Sequence, residues 1–229
     1  GANFFGQLGD NSTYGRLTPV AVSGLVGATA IAAGWSHTCT VVTSGAASCW
    51  GANYYGMLGD NSTTARLRPV GVNGLSGATA IAAGGDHTCA LVVGGAVHCW
   101  GANFFGQLGD NSTYGRLTPV VVGGLVGATA IAAGTYHTCA VVAGGAVQCW
   151  GWNGGGQLGD NSTTQRPTPV AVLGLTRASS IAAGENHTCA VVAGGSVRCW
   201  GYNAYGQRGD NSLTSRHTPV AVRGPSGAT

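Results

Sequence analysis

The chain has 229 residues, of which 42 are Gly, 44% are hydrophobic and 7% are charged, against about 25% charged in an ordinary soluble domain. Its formal net charge of +3 comes from ten Arg and no Lys, scattered rather than striped, which argues against a nucleic-acid surface. No run of 18 apolar residues offers a membrane-spanning helix.

The opening stretch GANFFGQLGDNSTYGRLTPV returns at residue 101, and a shift of 50 residues aligns the whole chain on itself without a gap. Four units (1–50, 51–100, 101–150, 151–200) are followed by a partial fifth, 201–229. A period of this length means that one unit cannot bury its own apolar face and must stack on its neighbours.

Within a unit, the first element is a Gly-rich turn region, G-A-N-x-x-G-Q-L-G-D-N-S. A run headed by Pro follows (Pro19, Pro69, Pro119, Pro169, Pro219), and Pro is expected to begin its strand, where a missing N–H costs least. Next comes the run A-T-A-I-A-A-G, and then two apolar runs joined by A-G-G or its equivalent, which read as a hairpin. No stretch shows the helical spacing of apolar residues. Each unit therefore offers three or four short strands, apolar on both faces as for sheets sandwiched between sheets, and the content of one propeller blade.

Five acids, Asp10, Asp60, Asp110, Asp160 and Asp210, each stand six residues before an Arg: Arg16, Arg66, Arg116, Arg166 and Arg216. An ion pair repeated down the array is the expectation. The surrounding G-D-N-S lacks the later acids of a calcium loop, and Asp and Asn favour turns by bonding their own backbone. Asn11, Asn61, Asn111, Asn161 (N-S-T) and Asn186 (N-H-T) fit the N-glycosylation sequon, with an unmodified turn as the alternative.

Taken together, G-Q-L-G-D-N-S-T, T-P-V, I-A-A-G-x-x-H-T-C and C-W-G at fixed spacing resemble the regulator of chromosome condensation repeat family over the whole chain. The resemblance implies an all-β propeller of blades of about 50 residues, usually seven to a ring. It also implies a recurring His–Ser/Thr pair between blades, and Trp50, Trp100, Trp150 and Trp200 suit blade packing. The family's best-known activity is guanine nucleotide exchange on a small GTPase, through segments projecting beyond the blade frame, and similar propellers inhibit bacterial β-lactamases. No unit here carries such an insertion. The resemblance thus implies a non-catalytic scaffold presenting loops to a protein or carbohydrate partner.

The eight Cys depart from the general family pattern. Cys39/Cys49, Cys89/Cys99, Cys139/Cys149 and Cys189/Cys199 bracket the expected hairpins; pairing Val42 with Ala46 puts Cys39 opposite Cys49, within disulfide reach. Four intrablade disulfides point to an oxidising compartment, hence a secreted or cell-surface protein. His37, His87, His137 and His187 precede the first Cys of each pair by two residues, which raises a metal alternative, but a fourth ligand is lacking and zinc prefers closer Cys spacing. No metal and no cofactor are expected.

Two places vary inside the repeated text. Between I-A-A-G and H-T-C stand Trp35–Ser36, Gly85–Asp86, Thr135–Tyr136 and Glu185–Asn186; after G-x-N stand Phe4–Phe5, Tyr54–Tyr55, Phe104–Phe105, Gly154–Gly155 and Ala204–Tyr205. Sites that differ while the frame repeats are those the frame does not need, and loops with aromatic anchors carry binding; at the second place, capping of blade ends is the equal alternative. Catalysis needs unlike groups converging once, whereas Asp, His and Cys recur here in equivalent copies, so an enzyme is not expected. The alternative to a binder is a structural subunit of an extracellular oligomer or filament, joined by blade edges.

Overall fold

The computed structural model describes residues 1–224, which form sixteen strands in four antiparallel sheets of four and, among the described residues, no helix. The first sheet contains β1 (Ala28–Ala33), β2 (His37–Val42), β3 (Ala47–Gly51) and β4 (Arg66–Gly71). The second contains β5 (Ala78–Ala83), β6 (His87–Val92), β7 (Val97–Gly101) and β8 (Arg116–Val121). The third contains β9 (Ala128–Ala133), β10 (His137–Val142), β11 (Val147–Gly151) and β12 (Arg166–Ala171). The fourth contains β13 (Ala178–Ala183), β14 (His187–Val192), β15 (Ser196–Gly201) and β16 (Arg216–Ala221). Each sheet is a plain meander, strand by strand in chain order, and each draws its last strand from the 50-residue unit after the one that supplies its first three.

Local chemistry sets the hairpins. In the β2–β3 turn, Val42 N–H donates to the Ala46 carbonyl (2.9 Å) and Gly45 N–H to the Val42 carbonyl (2.8 Å). Gly45 takes φ of 77°, the left-handed position that ends a three-residue hairpin loop. That turn fixes the register, and Cys39 falls opposite Cys49. All four Cys pairs are joined, with Cα atoms 4.1 Å apart.

Pro does not head its strand. β4, β8, β12 and β16 begin three residues earlier, at Arg, and Pro69, Pro119, Pro169 and Pro219 lie inside them. The ladder explains why: between the pairs Cys49↔Val70 and Gly51↔Arg66 the register shifts, and the irregular stretch in this outermost strand tolerates a residue with no N–H.

The core lies between sheets. One cluster joins Cys89, Leu91, Val97 and Cys99 of the second sheet to Ala128, Ala140 and Trp150 of the third, with Leu108 and Val122 of the connecting segments between them. Each disulfide is thus an apolar element of the layer as well as a crosslink. The end of the array shows what stacking supplies: Ile81, inside a layer, is 9% exposed, and its equivalent Ile31 in β1 is 66% exposed.

Polar pins cross the same layers. Trp100 Nε1–H and Thr88 Oγ1–H both donate to the Met57 carbonyl, at 2.9 and 2.8 Å. Thr88 has then used its one proton, so the contact from His37 Nε2 to Thr88 Oγ1 (2.9 Å) has the imidazole as donor. His87 to Thr138 (2.9 Å) and His137 to Thr188 (3.0 Å) repeat it.

Gly101 closes β7 with φ of 103°, and a Cβ there would stand 2.6 Å from the Asp86 carbonyl oxygen and 2.9 Å from His87 Cα. Both neighbours are backbone and cannot swing aside. Gly101→Ala should destabilise the protein by about 3 kcal/mol or more; a melting temperature within a degree of the parent's would contradict this close approach.

Candidate functional site

Each sheet ties the inner variable loop of its unit to the outer variable loop of the unit that follows. The carbonyl of the second residue in the β1–β2-type loop accepts from the residue after the third strand: Ser36 from Ala52 (2.8 Å), Asp86 from Ala102 (2.8 Å), Tyr136 from Trp152 (2.8 Å) and Asn186 from Tyr202 (2.9 Å). Both loops therefore emerge on the same face, at the opposite end of the strands from the hairpins.

A buried Asn holds the outer loop. Asn103 accepts from Leu108 N–H (2.9 Å) through Oδ1, and its Nδ2 donates to Asp110 (3.1 Å) and to the Ser112 carbonyl (3.1 Å). Asn3, Asn53 and Asn153 do the same. Asp110 also accepts from Ser112 N–H (3.1 Å) and from Arg116, whose Nη2 lies 2.7 Å away. Burial pushes the Asp110 carboxyl up, but hydrogen bonds from Ser112 and Arg116, the Arg116 charge and the Asn103 amide outweigh it and hold the group below its ordinary value. These are turns braced by an acid, with Asn11, Asn61, Asn111 and Asn161 exposed in the left-handed conformation at φ of 60 to 61°.

The ion pair recurs in the first four copies, at 2.7 to 3.0 Å, but not in the fifth. Arg208 stands where the other units carry Leu, and it takes Asp210 (2.9 Å) in place of Arg216. A guanidinium two residues away, folded under the loop onto Ser212 and the Thr214 carbonyl, displaces the more distant partner. Asp110 is 4% and Arg116 42% exposed. Asp110→Ala should cost about 2–3 kcal/mol, because it strands the Ser112 and Asn103 donors. Arg116→Ala should cost about 1 kcal/mol. The double variant should fall short of the sum by about 0.5–1 kcal/mol; plain additivity in denaturant titrations would show that the two do not act as a pair.

The aromatics of the outer loops meet across units. Phe5 packs edge-on against Tyr54 (5.4 Å between ring centres) and Tyr55 against Phe104 (5.2 Å), so the second aromatic of one unit reaches the first of the next. Phe105 has no such neighbour, because Gly154 and Gly155 follow; Trp152 takes the role at 4.7 Å. A Cβ at Gly154 would stand 2.4 Å from the Trp152 ring, so that ring occupies the space of a side chain there, and one at Gly155 would meet Tyr202 Cβ tightly at 3.1 Å. Trp152 and Tyr202 are site residues that the pattern of variable pairs missed. The signal was the change from G-A-N to G-W-N and G-Y-N.

The inner loops join this belt. Trp35 packs edge-on with Tyr136 (5.9 Å), which in turn meets Phe105 (5.1 Å), so rings from residues 35, 105, 136 and 152 are continuous. Burial, and after it the charge of Asp86, raises the Tyr136 hydroxyl above its ordinary value. Burial alone pushes the Asp86 carboxyl up. Gly85 N–H donates to the Thr135 carbonyl and Thr135 N–H to the Glu185 carbonyl, both at 3.2 Å, and beneath them a cavity of about 200 Å³ is lined by Gly34, Gly84, Gly134 and Gly184 with Trp35 and Glu185. Phe4, Tyr54, Phe104 and Tyr205 are exposed, as is Glu185. Tyr205 packs on Tyr202 at 6.3 Å, away from the Trp35 cluster.

The His and Cys rows leave no ligand set. The sulfurs are in disulfides, His37, His87 and His137 are hydrogen-bonded across blades, and no group of three metal-ligating side chains occurs among the described residues. Four disulfides suit an oxidising compartment, and no helix among the described residues is long and apolar enough to cross a membrane.

Four meandering sheets stacked through 50-residue units define a β-propeller array with non-repeating loops on one face. Profiles of the regulator of chromosome condensation (RCC1) repeat match residues 1–41, 44–91, 94–141 and 144–191, and a second profile of the same description matches 28–56, 78–107, 128–157 and 178–207. The chain belongs to this repeat family. No curated protein matches it in sequence. Among solved structures it is similar to human WBSCR16, at 24% identity and TM-score 0.86 over 97% of this chain and 61% of that one. It is also similar to Prp20p from Saccharomyces cerevisiae, a protein studied for its binding to Gsp1p and histones, at 21% identity and TM-score 0.80 over 94% and 55%. Yeast RCC1 (Prp20) bound to Kap60 matches at 23% identity and TM-score 0.74 over 85% and 48%. The chain thus spans about half to three-fifths of these relatives, and the likeness shows a shared fold.

Proposed function

We propose that this protein is a non-catalytic extracytoplasmic scaffold that binds a protein partner through the face carrying the Trp35, Asp86, Tyr136, Phe105 and Trp152 cluster. The observation that carries the reading is the division of labour: residues common to the units form the core, the pins and the loop braces, and the two variable loop pairs meet on one face as a cluster of exposed and half-exposed aromatics. Family membership supports a binding role, and the disulfides support a secreted setting. In a photocrosslinking experiment, a photoreactive residue at Tyr54 should trap a partner in the protein's native medium. The same group at Ser44, in a hairpin at the other end of the strands, should not. Equal yields at both positions would sink the reading.

A second reading, a building block completed by further blades of this or another chain, is favoured by the end faces. Asn11, Asn61, Asn111 and Asn161 each donate N–H to a carbonyl of the following blade's outer strand. Asn211 finds no such carbonyl among the described residues, and an open cavity of about 620 Å³ lies beside it, lined by Gly206 and Leu213. If end faces assemble copies, sedimentation will show a concentration-dependent ladder that Ile31→Lys abolishes; a single species unchanged by the substitution would remove that reading.

A further inference from the structure

Of seven acids in the chain, five are held in ion pairs with Arg. The two left over, Asp86 and Glu185, both stand in inner loops of the same face, in which no Lys or Arg occurs. On a chain of net charge +3, the inner loops of this face therefore carry local negative charge. Asp86 has no opposing cation in these five pairs and is half-buried. Trp35 lies across Gly85, whose Cβ, if present, would touch the indole at 3.4 Å and the Thr135 carbonyl oxygen at 3.0 Å. An indole from the first blade thus lies across the second and reaches Tyr136 of the third, and Asp86 is the next residue after the Gly85 that it covers.

An indole and a phenol in contact, with an acid in the loop that they cover, have the chemistry of a cation receptor. Ring faces attract a cation through their quadrupole, more strongly when it is desolvated, and the acid supplies the counter-charge. Guanidinium fits better than ammonium, because it stacks flat on rings while its N–H fork meets a carboxylate. A sugar site needs no net charge around its rings, whereas the inner loops, which supply Trp35 and Tyr136, hold two acids, Asp86 and Glu185, and no base. We propose that Trp35, Asp86 and Tyr136 form a receptor for an arginine side chain presented by a protein partner, with Glu185 adding charge at the rim. This assignment rests on the binding-face reading above.

The test is calorimetric titration of the intact protein with hexa-arginine, hexa-citrulline and chitohexaose at physiological ionic strength. Citrulline keeps the shape of arginine and removes its charge. Hexa-arginine should bind and hexa-citrulline should not, although the protein's net positive charge disfavours a polycation. Asp86→Asn, nearly isosteric, and Tyr136→Ala should each weaken hexa-arginine binding by about tenfold or more, with melting temperatures near the parent's as the check on folding. Failure of hexa-arginine to bind, equal binding of hexa-citrulline, or indifference to Asp86→Asn would each overturn the proposal. Chitohexaose binding that depends on Trp35 and Tyr136 while hexa-arginine is ignored would overturn it too, yet leave the face as a binding surface. Failure of the face itself would show separately, in the crosslinking yields at Tyr54 and Ser44.

Discussion

Reductant added to the folded protein should open Cys189–Cys199 well before the other three disulfides. Cys39, Cys49, Cys89, Cys99, Cys139 and Cys149 are wholly shielded, each sealed against the following sheet, whereas Cys189 in the last sheet is part-exposed. Exchange needs a thiolate to reach sulfur, so the shielded bridges wait on blade separation. Each bridge closes a loop whose ends are 10 residues apart, a constraint contributing about 2–3 kcal/mol. Four sum to roughly 8–12 kcal/mol, the size of a whole domain's stability, so full reduction should unfold the chain near physiological temperature. Alkylation and mass mapping over a reductant series would read the order. Simultaneous loss of all four bridges at the lowest effective concentration would show that the layers do not protect them.

Acid should weaken the protein in a window set by its buried imidazoles. Burial pushes His37 down to about 4; burial, with the charges of neighbouring His residues, pushes His87 and His137 down to about 3, from an ordinary value of 6.5. In the fold these rings stay neutral, with Nε2–H given to Thr and Nδ1 buried without a partner. The unfolded chain takes up protons first as pH falls through 6.5, so this stability is complete above that pH and drains away towards the folded values. At about pH 5 the loss is roughly 2 kcal/mol for each His, or about 6 for three. Asp60, Asp110 and Asp160, held below their ordinary 3.8, add their loss at lower pH, so the two windows separate. Denaturant titrations at pH 7 and 5 should show the difference, and His87→Gln, which keeps a donor and cannot titrate, should remove about a third of it. Stability level between those pH values would contradict neutral buried imidazoles.

Strands, hairpins and bridges were legible because each depends on neighbours within a dozen residues. The Val42–Ala46 turn fixes the register that brings Cys39 to Cys49, and nothing distant can alter that. Pro69 was misplaced because the pattern carries no sign of the shift in an outer strand that tolerates it. Asp210 was assigned to Arg216 by analogy, whereas Arg208 occupies a Leu position and reaches the acid first. The variable loops could be named from the sequence, but not their meeting. Trp35 and Tyr136 are 101 residues apart, and the contact between them needs the stacking of three blades. Trp152 was overlooked because it supplies the ring for its unit from two residues before the expected place.

The central claim is that repeated residues build the scaffold and non-repeated ones recognise a partner. It is tested most directly by levelling the inner loops with Trp35→Gly, Asp86→Ser, Tyr136→Ser and Glu185→Gly together, and measuring the crosslinking yield from Tyr54. The account predicts a variant that melts within a few degrees of the parent and traps nothing. A folded variant that traps its partner as well as the parent does would contradict it.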